Sequence, residues 1–115
     1  MAYRREGDGV AELTVSLTSD LQRVTVHLGD ILRICLAEIP TTGYLWSRVG
    51  PLPPELDEEG VEFRSSSNAV GGGGQRCFTY ACRQYFVGDL VFELRRPWLP
   101  TEVEKAVRVK ITCTR

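Results

Sequence analysis

The sequence predicts an all-β domain: an immunoglobulin-like β-sandwich of two antiparallel sheets with seven to eight strands. Three observations predict it. Apolar residues recur with a period of two along most of the chain, so each run buries one face and wets the other. Turn-forming residues interrupt these runs about every ten positions, the spacing of a sandwich or barrel. Helical periodicity is lacking. Glu55–Glu59 alone has a helical flavour, and it is short, acidic and preceded by Pro51, Pro53 and Pro54, so it reads as loop.

The alternation runs through Leu13, Val15 and Leu17, then Val24, Val26 and Leu28, then Leu32, Ile34 and Leu36. A further strand is expected at Tyr44–Val49 and a weaker one at Val61–Ser65. Phe78, Tyr80 and Cys82 follow, then Leu90, Phe92 and Leu94, and finally Val107, Val109, Ile111 and Cys113. The segments 13–17 and 24–28 count together as the first strand of the order. One domain spans residues 10–115, after a loose polar N-terminus at residues 1–9.

With 115 residues, 43% apolar and 25% charged, the chain has the composition of one globular domain. Such a chain buries roughly two-thirds of its unfolded surface, so it can hold a core without metals or disulfides. Fourteen basic and fifteen acidic residues give net charge −1, so there is no basic excess for nucleic acid. No apolar run approaches the roughly 20 residues of a membrane helix. The first residues show no signal-peptide pattern. The expectation is a cytoplasmic protein as the sequence stands, or a secreted or periplasmic one if a leader has been removed.

Three loops call for explanation. In the first, Pro40 ends a strand and Gly43 permits positive φ. Between them Thr41 and Thr42 form a stiff tip ahead of Tyr44. The plain reading is a turn whose threonines bond locally. The second loop holds Gly71, Gly72, Gly73 and Gly74. Glycines are entropically costly to order, but they let another backbone approach closely. A phosphate loop would need Lys and Ser/Thr followed by a helix, whereas Gln75-Arg76-Cys77-Phe78 follows and reads as strand. A merely floppy loop is the rival. In the third, Arg96, Pro97 and Trp98 lead to Pro100, setting a tryptophan in extended backbone. Tryptophan and arginine are enriched at binding hot spots, yet Trp98 folded over the sandwich end is an equal alternative. In an immunoglobulin-type order all three loops fall at one end, where they form one continuous edge.

These motifs resemble the chagasin family of inhibitors of papain-like cysteine peptidases. Pro40-Thr41-Thr42-Gly43-Tyr44, Gly71–Gly74 and Arg96-Pro97-Trp98 match its three motifs in order, and Val24–Asp30 is similar to its approach to the second strand. Ile39 stands where the family usually has Asn, and the four-glycine run is richer in glycine than usual. The resemblance implies reversible, tight-binding inhibition by occupation of the catalytic cleft. Thr41, Thr42 and Gly43 would be the plug, Gly72 to Gly74 a backbone strip, and Arg96 and Trp98 a flanking anchor. It implies a papain-like peptidase as partner, no cofactor and no catalysis, with the protein expected to act as a monomer.

The alternative is an immunoglobulin-like adhesion or accessory module whose loops are structural. An enzyme is disfavoured, because His27 is the only histidine and lies mid-strand. Asp57-Glu58-Glu59 reads as a solvated acidic patch. No metal site is expected, since Cys77 and Cys82 are five apart on one strand and face opposite sides. Among the cysteines, parity turns Cys35 and Cys77 outward and Cys82 and Cys113 inward. Cys35 and Cys77 can oppose one another on adjacent strands. Cys82 and Cys113 are expected to stay reduced as small core hydrophobes.

Overall fold

A computed structural model describes residues 2–7, 10–16, 21–65 and 73–115, with side chains from Gln22 onward. Nine strands are present among the described residues: β1 (Ala2–Gly7), β2 (Val10–Ser16), β3 (Leu21–His27), β4 (Ile31–Glu38), β5 (Leu45–Val49), β6 (Leu56–Ser65), β7 (Gly74–Cys82), β8 (Phe86–Arg95) and β9 (Val103–Thr114). They form two sheets, ordered β1-β2-β4-β7-β6 and β3-β9-β8-β5. The sandwich is the predicted fold.

Four details differ from the sequence reading. Residues 2–7, expected as a loose N-terminus, pair with β2 as β1. The two segments counted as one first strand lie in different sheets, β2 beside β4 and β3 beside β9, and both pairings are parallel. Each sheet is therefore antiparallel except for one pair. Residues 56–59, read as loop, begin β6. Their acidic side chains are exposed, and an edge strand tolerates them because only its backbone needs a partner, here β7.

The alternating positions become the core. Val24, Val26, Leu32, Ile34, Leu36, Phe78, Tyr80, Leu90, Phe92, Val107, Val109 and Ile111 are buried in one cluster between the sheets. Phe78 and Phe92 meet there with ring centroids 4.8 Å apart. Trp46 joins the cluster, and its indole N–H donates to the Ala37 carbonyl at 2.8 Å.

The cysteines are bonded as Cys35–Cys77 and Cys82–Cys113. Cys35 and Cys77 are register partners on β4 and β7, as their spacing predicted, with Cα atoms 4.1 Å apart. They lie outside the core cluster yet are buried. The expectation of reduced Cys82 and Cys113 is corrected. Both point into the core, but from β7 of one sheet and β9 of the other, which lets them bridge the layers.

Candidate functional site

The chain makes three connections at one end. β4 crosses to β5 in the other sheet, β6 turns back to β7, and β8 turns back to β9. The register places their ends together: Glu38 and Ser65 both pair with Gly74, while Leu45 pairs with Arg95.

The first connection is built by local chemistry. Pro40–Thr42 forms one 3-10 turn, closed by Gly43 at φ 81°. The Thr42 hydroxyl donates to the Ile39 carbonyl at 2.7 Å and accepts from the Tyr44 N–H at 3.3 Å. The Gly43 N–H donates to the Pro40 carbonyl at 3.0 Å. Ile39 provides no side-chain cap, and the Thr42 hydroxyl braces the turn by linking the Ile39 carbonyl to the Tyr44 N–H. Pro40, Thr41 and Thr42 are all exposed.

The third connection is stapled to the first. A methyl group at Gly43 would sit 2.5 Å from Cη2 of Trp98, so the edge of the indole fills the space beside the glycine. Arg96 stacks its guanidinium 4.3 Å from the Tyr44 ring centroid and donates from Nε to the Thr42 carbonyl at 3.3 Å. The Arg96 carbonyl accepts from the Leu99 N–H at 2.9 Å, and Arg95 reaches the Pro100 carbonyl at 2.7 Å. Trp98 remains 65% exposed, so most of its ring is accessible. Pro97 is exposed beside it.

Of the glycine run, Gly73 and Gly74 are described; Gly71 and Gly72 lie outside the described residues. Gly73 packs near the Ile39 side chain and the Glu38 carbonyl. Gly74 is buried against the Arg64 carbonyl and the Phe63 ring, where a side chain would collide with backbone. A concavity of about 490 Å³ opens between the first connection and β7, walled by Ile39, Tyr44, Gly73 and Leu94.

Sequence reasoning missed two residues beneath these loops. Glu38 is 3% exposed, and its carboxylate accepts from the Trp46 N–H at 2.8 Å. Arg76 grips the same carboxylate, with Nε at 2.9 Å from Oε2 and Nη2 at 2.7 Å from Oε1. Hydrogen bonding to Glu38 holds the Arg76 guanidinium above its ordinary pKa, against the opposing effect of burial. The missed signal was parity. Glu38 continues the inward series Leu32, Ile34, Leu36, and Arg76 precedes the inward series Phe78, Tyr80, Cys82.

The fold and the stapled loops define an immunoglobulin-like domain whose first and third connections are tied together at one end. Residues 25–113 match the model of the chagasin family peptidase inhibitor I42, and the chain belongs to that family. No curated protein matches it. Among solved structures, the cysteine protease inhibitor EhICP2 from Entamoeba histolytica is 16% identical, with TM-score 0.78, over 93% of this chain and 99% of that one. The solution structure of amebosin is 24% identical, with TM-score 0.64, over 88% and 96%. PbICP-C, solved in complex with falcipain-2, is 19% identical, with TM-score 0.63, over 88% and 98%. At these identities the likeness is one of fold.

Proposed function

We propose that the protein is a reversible, tight-binding inhibitor of papain-like cysteine peptidases that occupies the catalytic cleft with this edge. The observation that carries the reading is the staple between the first and third connections. Arg96 and Trp98 hold the exposed Thr41–Gly43 tip in one geometry before any partner arrives. A tip ordered in advance loses little entropy on binding, which is what separates an inhibitor loop from a flexible substrate. Family membership, and the falcipain-2 complex of PbICP-C, support the same target class.

In this reading Thr41, Thr42 and Gly43 plug the cleft, with Pro40 and Tyr44 as its shoulders. Gly71 to Gly74 supply a strip for backbone contact, and Arg96, Pro97 and Trp98 anchor the opposite flank. The protein acts as a monomer, by occupation and without catalysis. Two disulfides suit an oxidising compartment, so the site of action is secreted or periplasmic.

Titration against papain with a fluorogenic peptide substrate tests this reading, with trypsin as the serine-peptidase control. Inhibition of papain alone, at one inhibitor per enzyme, is expected. Inhibition constants no better than about millimolar, roughly −4 kcal/mol of binding, against several papain-like enzymes would overturn it in favour of an adhesion module.

A further inference from the structure

We infer that Glu38 is the positioning residue of the inhibitory edge, setting the Thr41–Gly43 tip relative to Gly73 and Gly74 through its ion pair with Arg76. The inference rests on the proposed mode of inhibition.

Glu38 is the last residue of β4, immediately before the first connection. Its carboxylate receives the backbone N–H of Trp46, two residues after Tyr44, so one side chain ties the entry of that connection to its exit. The entry lies in one sheet and the exit in the other. The same carboxylate takes a two-point grip from Arg76, two residues beyond Gly74 on β7. Arg76 is in turn placed 5.5 Å over the Phe63 ring of β6, the strand that leads into the glycine connection. One buried carboxylate thus joins β4, β5 and β7, the strands on which both connections are mounted.

The chemistry favours positioning over bulk stability. Replacing a buried ion pair with apolar residues is often neutral or stabilising, so stability alone gives little reason to bury one at this place. A forked guanidinium on a planar carboxylate fixes both distance and direction. That is the property needed where two sheets must hold two loop roots in register.

The test measures papain dissociation rates for the wild type, Glu38→Gln, Thr42→Arg and the double variant, each shown folded by denaturant unfolding. Glu38→Gln keeps the shape and an acceptor for Trp46 but removes the charge. It is expected to speed dissociation about tenfold or more, since interface changes act mainly on dissociation. In the Thr42→Arg background, where the tip is already displaced, the same change should matter by about twofold or less, a departure from additivity that marks the two positions as coupled. Amide exchange at Thr42 and Gly43 should quicken in Glu38→Gln while the core amides of β7 and β9 keep their rates.

An equal factor in both backgrounds, or no change in dissociation, overturns the role of Glu38 while leaving the inhibitor reading intact. A wild type that fails to inhibit papain overturns the reading itself. If Glu38→Gln does not fold, Arg76→Lys takes its place under the same criteria, because it keeps the charge and loses the fork.

Discussion

Gly43 is where local conformation and partner recognition meet. Its φ of 81° lies in the left-handed region, and the Trp98 ring occupies the space a side chain would need. Gly43→Ala therefore carries a backbone cost of roughly 1–2 kcal/mol and also pushes Trp98 off the tip. The structure joins the two readings of Trp98 that the sequence left open. The edge of the ring meets the glycine, and most of the ring stays exposed. Trp98→Ala is expected to change stability little and to weaken papain inhibition by about 2 kcal/mol or more, the range of a hot-spot side chain. Denaturant unfolding measured beside inhibition separates the two effects. A variant that unfolds readily, yet inhibits fully while folded, would make Trp98 a structural cap only.

Among the elements, β5 shows how a short strand is secured. Its five residues pair with β8, and Trp46 anchors the strand from the side. The indole is 6% exposed within the core, and both its ring N–H and its backbone N–H bond to the end of β4. Trp46→Ala should cost about 3–5 kcal/mol of unfolding free energy by chemical denaturation, as large core truncations do. Its contrast with Trp98 was legible from sequence, because Trp46 follows the strand alternation and Trp98 sits beside Pro97. Of β6, only the second half was legible, as the weaker strand expected at Val61–Ser65. The prolines before it and the acids at its start mark a turn locally, and only the backbone of β7 gives residues 56–59 a reason to extend.

For the whole molecule, the Cys82–Cys113 disulfide is the covalent tie between the two sheets. It closes a loop of sequence separation 31, which chain-entropy arguments value at about 3–4 kcal/mol. Replacing both cysteines with alanine should lower the denaturation midpoint accordingly. Inhibition by the folded protein should persist, because Cys82 pairs with Leu56 at the start of β6, whereas the loops sit at the Gly74 end of β7. Thiol labelling under native, non-reducing conditions should leave all four cysteines unmodified. Labelling of Cys82 and Cys113 alone would restore the picture of two reduced core thiols.

The alternation of Val24 to Cys113 determined the sandwich and most of its core, because a period of two leaves one buried face whatever the neighbours are. The order of Pro40–Tyr44 and Arg96–Trp98 picked out two segments that the structure brings into contact, and equal distances from loop tips anticipated Cys35 opposite Cys77. Tertiary structure decided what spans the layers: the splitting of the first segments between sheets, the Cys82–Cys113 bond, the contact of Trp98 with Gly43 and the Glu38–Arg76 pair. Periodicity reports the face on which a residue lies, and it carries no information about which residue from the opposite sheet, or from the next loop, will be found there.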